Sequence, residues 1–197
     1  MTKYFLHGGM TGVPCENNDN YYKKILNSVS GTVKVLLVYF AAEKDRWDEL
    51  SEQHQAKFMA QADEKKIEFE IASDNVGEFA KQVKWCDIVY IRGGSTPMLQ
   101  TQLEKVSNLQ ELFEGKIVAG SSAGAIVFAK YYYDQDSDKI FEGLDMLHVK
   151  MITHYLSTGE YAATSGKDRL RMLEEYAESL PVYAIKETGF VVVEVGN

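Results

Sequence analysis

The chain has 197 residues, 45% hydrophobic and 25% charged, the composition of one ordinary globular domain with a sizeable core. With 29 acidic and 21 basic residues it carries a formal charge of −8, which argues against nucleic acid or an anionic membrane as its main partner, and no basic stripe with interleaved aromatics opposes that reading. Cys15 and Cys86 lie far apart outside any pairing motif, and neither a signal-peptide core nor a membrane-length apolar run appears, so no disulfide framework is expected and a reduced, cytoplasmic setting is.

Short apolar runs at 4–6 and 33–40 read as strands. Residues 44–64 carry Trp47, Leu50, His54 and Phe58 at helical spacing. Strands are read again at 67–71 and 88–91, a helix at 96–107 through Leu99, Leu103 and Val106, and a strand at 117–119. A helix is expected over 125–129, and another over 168–178 through Leu170, Leu173 and Ala177. Several of the strands are apolar throughout, as when both faces of a parallel sheet are covered. This alternation predicts an α/β fold: a doubly wound, mostly parallel sheet with helices on both faces. Residues 182–185, the turn Lys186-Glu187-Thr188-Gly189 and residues 190–195 read as a C-terminal hairpin forming an antiparallel edge. No repeat, low-complexity tract or linker divides the chain, so residues 1–197 are expected to form a single domain.

The most informative stretch is Gly120-Ser121-Ser122-Ala123-Gly124-Ala125, between the apolar run Ile117-Val118-Ala119 and the expected helix. A serine flanked by glycines at a strand-to-helix turn is the layout of a nucleophile elbow, in which a strained backbone pushes the hydroxyl outward. A serine hydroxyl is almost wholly protonated at neutral pH and needs a base, with a third group to orient that base. The histidines are His7, His54, His148 and His154. His54 falls on an apolar helical stripe and reads as structural, whereas His154 follows Met151-Ile152-Thr153 at the mouth of a candidate strand and is preferred to His148 as the base. The acid is drawn from two pools, the run Asp134, Asp136 and Asp138 or the turn residue Glu187. Oxyanion donors are expected from the Ala123 amide and from the loop Arg92-Gly93-Gly94-Ser95, where glycines let backbone approach a substrate. No Walker lysine follows that loop, and His7-Gly8-Gly9, though similar to a lipase oxyanion segment, follows the first strand and is set aside.

Taken together these segments resemble the dipeptidase E / cyanophycinase family of serine peptidases, relatives of class I glutamine amidotransferases with serine in place of cysteine. The family's Gly-Gly-(Asn/Ser)-Thr-x-x-Leu segment resembles Gly93-Gly94-Ser95-Thr96-Pro97-Met98-Leu99, and its elbow matches Gly120 to Ala125. Gly143-Leu144-Asp145-Met146-Leu147, then His154-Tyr155 and Lys186-Glu187-Thr188-Gly189, are similar to its later segments. The resemblance implies an amidotransferase-like (flavodoxin-like) fold and a Ser122–His154–Glu187 triad, with oxyanion donors from Ala123, Gly93 and Gly94. Some assignments within the family place the acid on an aspartate after the elbow helix, which keeps Asp134, Asp136 and Asp138 open. The order serine, histidine, glutamate separates the chain from the α/β-hydrolases.

One family arginine, thought to bind a substrate aspartate, aligns with Gly166 here, so Asp-X specificity is not expected; Lys167, Arg169 and Arg171 are the candidate substitutes for binding substrate. The expectation is a serine peptidase cleaving short peptides through an acyl-enzyme, needing no cofactor and no metal, with a homodimer as an open option. The alternative is a catalytically silent, amidotransferase-like binding module. A glutaminase would need a cysteine at the elbow, and Cys86 reads as a buried, inert thiol.

Overall fold

The computed structural model describes residues 1–157 and 166–196. Period-two alternation decides which core each strand residue enters. In β1 (Thr2–His7), Tyr4 and Leu6 point to one side and Phe5 to the other. In β2 (Val33–Val38), Leu36 and Val38 oppose Val35 and Leu37, and in β4 (Ile88–Ile91), Val89 and Ile91 oppose Ile88 and Tyr90. With both faces apolar, the sheet requires helices on both sides. The first core is closed by α1 (Glu16–Asn27) through Tyr21, Tyr22, Ile25 and Leu26, and by α2 (Trp47–Ala60) through Leu50 and Phe58. The second is closed by α3 (Val76–Trp85), α4 (Thr96–Leu103) and α5 (Leu109–Leu112).

With β3 (Ile67–Ile71), β5 (Ile117–Ser121) and β10 (Phe190–Val195), these strands form a six-stranded sheet in the order β10-β1-β5-β4-β2-β3. Pairing is parallel throughout except at β10, which runs antiparallel to β1. This is the doubly wound α/β arrangement expected.

The C-terminal hairpin is corrected. Residues 190–195 do form an antiparallel edge, but on β1; β9 (Val182–Ala184) instead pairs in parallel with β8 (Leu147–Ile152) in a second sheet. The turn between them is a crossover from one sheet to the other. The second sheet has the order β7-β6-β8-β9, with β6 (Ala129–Asp134) and β7 (Lys139–Glu142) antiparallel. The expected helix at 125–129 is a single turn, α6 (Ala123–Ile126), that runs into β6. One face of the second sheet, Tyr132, Leu147, Val149 and Met151, joins the main core. Its other face, Tyr131, Tyr133 and Ile152, packs on Leu173 of α7 (Gly166–Glu175).

Lys150 of β8 is fully buried, and its ammonium donates to the carbonyls of Glu174 (2.9 Å) and Tyr176 (2.5 Å). Those carbonyls lie at the C-terminal end of α7, where a cation meets the negative end of the helix dipole. Among the described residues no helix is long and apolar enough to cross a membrane.

Candidate active site

The carboxyl ends of β1, β4 and β5 lie side by side, His7 opposite Ser121 and Ile91 opposite Gly120. The chain leaving β5 must turn straight into α6, and two glycines make that possible. A Cβ on Gly120 would sit 2.0 Å from the Gly124 carbonyl oxygen, and one on Gly124 would sit 2.2 Å from that of Ile91. Between them Ser122 is held at φ 53°, ψ −117°, a conformation that L-residues rarely adopt. The Ser122 amide donates to the His7 carbonyl (2.9 Å), which pins the turn to β1.

His154 follows β8 and also has positive φ, 50°. Its amide donates to the Gly8 carbonyl (2.9 Å), and the Tyr155 amide donates to the Ile185 carbonyl (3.1 Å). Its Nδ1 lies 2.9 Å from Glu187 Oε1 and its Nε2 lies 3.0 Å from Ser122 Oγ. A carboxylate only accepts, so Nδ1 carries the hydrogen, and in the neutral ring Nε2 is then the acceptor for the serine hydroxyl. Ser157 Oγ donates to the same Glu187 oxygen (2.9 Å) and fixes the carboxylate from behind. Ser122, His154 and Glu187 are thus brought together, although Glu187 stands on the crossover between the two sheets.

The loop His7-Gly8-Gly9, set aside on sequence grounds, proves to be part of this cradle. Gly9 has φ 110°, and a Cβ there would lie 2.2 Å from His154 Cε1, so the imidazole packs on bare backbone. The Gly9 amide donates to His7 Nδ1 (3.1 Å), which leaves the hydrogen on Nε2 to donate to Asn18 Oδ1 (2.9 Å). That fixes His7 as a neutral tautomer, and burial pushes its pKa down to about 4. The signal for this role was adjacency: in a doubly wound sheet the first strand lies beside the elbow strand.

Gly93 flanks the nucleophile, since a Cβ on it would stand 2.8 Å from Ser122 Cβ. Among the described residues no backbone carbonyl outside regular helix and strand pairing takes the amide of Gly93, Gly94 or Ala123; Ala123, as the first residue of α6, has no partner within its own helix. Asp134 and Asp136 line a 130 Å³ cavity that reaches Ser122 and His154. Asp138 turns away to pair with Arg169 (3.0 Å). Arg169 is buried, with its guanidinium 5.7 Å from the Tyr133 ring centroid, while the exposed Arg171 lies 3.6 Å from Asp168. Gly166 sits at the start of α7 against Leu156. His148 is exposed beside Asp145, and His54 is buried with Nδ1 donating to the Leu50 carbonyl (2.7 Å), its pKa pushed down by burial to about 4. Cys86 is buried, and desolvation raises its thiol pKa to about 12, far from a nucleophile's range. No group of His, Cys, Asp or Glu among the described residues has the spacing to hold a metal ion.

Doubly wound sheets with a strained serine turn at the carboxyl end of a central strand form a recognisable class, and this chain falls within it. Its sequence places it further: residues 5–197 match the model of peptidase family S51, and the chain belongs to that family. It is 27% identical over 131 residues to an uncharacterized peptidase of Listeria monocytogenes serovar 1/2a, and 24% identical over 135 residues to one of Listeria innocua serovar 6a. These matches take in 60% and 64% of this chain but only 62% and 65% of those relatives' length. Among solved structures, a peptidase from an acI-B1 Actinobacterium superposes with TM-score 0.68 at 16% identity, covering 98% of this chain and 83% of the other. A protein of Listeria monocytogenes EGD-e, provisionally assigned as a peptidase E, gives TM-score 0.68 at 17% identity with complete coverage of both chains.

Proposed function

We propose that the chain is a serine peptidase that hydrolyses short peptides through a Ser122–His154–Glu187 triad. The observation that carries this reading is the strained Ser122 with its hydroxyl 3.0 Å from His154 Nε2. In the acylation step His154 Nε2 takes the hydroxyl proton while Oγ attacks the scissile carbonyl. The tetrahedral oxyanion is met by the amides of Ala123 and the Gly93–Gly94 loop. As the carbon–nitrogen bond breaks, His154 returns the proton to the departing amine, leaving an acyl-enzyme. Water then repeats the sequence and releases the acid. Glu187 keeps the hydrogen on Nδ1 and stabilises the imidazolium as it forms.

The two cavities that share Ser122 and His154 in their linings, 360 Å³ and 130 Å³, suit a peptide of a few residues rather than a folded chain. A reducing cytoplasm suits the two free cysteines. A silent binding module would be favoured by a Ser122 out of reach of any imidazole, whereas Ser122 Oγ lies 3.0 Å from His154 Nε2.

A serine-directed fluorophosphonate is expected to label the wild type and not Ser122→Ala. The alanine variant is expected to lose on the order of 10⁴–10⁶ in turnover with its thermal unfolding unchanged. Equal labelling of both proteins would sink the proposal.

A further inference from the structure

The 360 Å³ cavity beside Ser122 is lined by two cations, Lys57 of α2 and Arg92, the residue after β4. Both side chains are half-buried, and among the described residues neither has an ion-pair partner, in a chain with a formal charge of −8. Glu49 acts on Arg92 only at a distance and itself lies 3.9 Å from Arg46. Burial lowers the pKa of each cation, and the Arg92 charge lowers that of Lys57 further, so each is held where its charge is disfavoured. Lys57 Nζ reaches the loop after β1, 3.7 Å from the place of a Cβ on Gly12. Arg92 Nη1 donates to the Gly93 carbonyl (2.8 Å), which aims the guanidinium and leaves most of its donors for another acceptor. Two like charges in a part-desolvated cavity repel each other, and an anion placed between them removes that cost.

We propose that Lys57 and Arg92 form an anion subsite that takes a carboxylate of the bound peptide and so sets the direction in which the peptide crosses Ser122. The inference rests on the peptidase reading and narrows it to peptides that carry a free carboxylate. The second cavity at Ser122 has the opposite character. Asp134 and Asp136 line the 130 Å³ cavity with Gln135, whose Oε1 is buried with no hydrogen-bond partner. Those groups accept hydrogen bonds and suit an ammonium. A free peptide, positive at one end and negative at the other, matches this polarity in one orientation only. The C-terminal α-carboxylate is therefore the favoured source, and an acidic side chain is the competing one.

The test is binding to Ser122→Ala, by calorimetry, of three dipeptide libraries: neutral with free C-termini, neutral with C-terminal amides, and amidated with one Asp or Glu. The free-acid library is expected to bind about 10- to 100-fold tighter than its amides, the worth of a charge-assisted pair. Adding Lys57→Met should remove most of that ratio, and Lys57→Arg should keep it. Affinity regained only by the acidic amides would keep the subsite and assign it to a side chain. Equal binding of all three libraries, no binding of any, or a ratio untouched by Lys57→Met would overturn the proposal. Fluorophosphonate labelling of the wild type reads the catalytic proposal separately: a labelled serine without carboxylate preference sinks the subsite alone, and preference without labelling sinks the chemistry alone.

Discussion

Glu187 Oε1 accepts two hydrogen bonds, from His154 and from Ser157, and in the proposed triad it holds the imidazole's tautomer. Glu187→Gln preserves shape but offers His154 a side chain able to present an N–H, which favours the wrong tautomer. Turnover is expected to fall on the order of 10⁴, as when a triad carboxylate becomes an amide. Loss of tenfold or less in steady-state hydrolysis would return Asp134 or Asp136 to contention as the acid. Gly9→Ala tests the cradle from the other side. Its methyl would stand 2.2 Å from His154 Cε1 at φ 110°, so the ring must move. Hydrolysis should fall at least 10²-fold while the protein still folds, judged by near-ultraviolet circular dichroism, because a displacement of about 1 Å at a catalytic group costs that much. Of these residues Ser122, His154 and Glu187 were legible as candidates from the elbow pattern and the family segments. Ser157 and Gly9 were not, since an ordinary hydroxyl and an ordinary glycine acquire meaning only when the fold sets them against the imidazole.

Strands β2, β4 and β5 were legible because runs such as Val35-Leu36-Leu37-Val38 are apolar on both faces, and β3 because Ile67, Phe69 and Ile71 alternate with Glu68 and Glu70. Helix α1 was not, because its first turn, Glu16-Asn17-Asn18-Asp19, is rich in poor helix formers, and its burial of Tyr21, Tyr22, Ile25 and Leu26 comes from tertiary packing. Helix α3 was overlooked despite a local signal: Asn75 Oδ1 caps it by accepting from Gly77 and Glu78. The second sheet stayed hidden because β6 is tyrosine-rich and alternates only weakly, and because β8 contains Lys150, which breaks an apolar run. That lysine is an anchor rather than an interruption. Lys150→Met should leave the carbonyls of Glu174 and Tyr176 buried without donors, lowering unfolding free energy by about 2 kcal/mol or more in urea titrations. An unchanged midpoint would show that α7 is held by Leu173 and its apolar neighbours alone.

At the scale of the whole molecule, two imidazoles tie stability to pH. His7 and His54 have folded pKa values near 4, against about 6.5 in the unfolded chain, so the unfolded chain takes up protons first. Their contribution is complete above pH 6.5 and is lost as pH falls toward 4. By pH 5 roughly 2 kcal/mol should have gone for each, read as a drop in the urea midpoint that His54→Gln partly abolishes. A midpoint flat between pH 7 and 5 would contradict this. The chain's end misleads when read locally, since residues 182–195 have the form of a hairpin, yet β9 and β10 belong to different sheets. That crossover has a consequence for synthesis. Ser122 leaves the ribosome well before Glu187, which stands on the crossover between β9 of one sheet and β10 of the other. On the proposed triad, a product truncated before residue 187 holds Ser122 and His154 without the carboxylate that meets His154 Nδ1, and it is expected to react poorly with a fluorophosphonate.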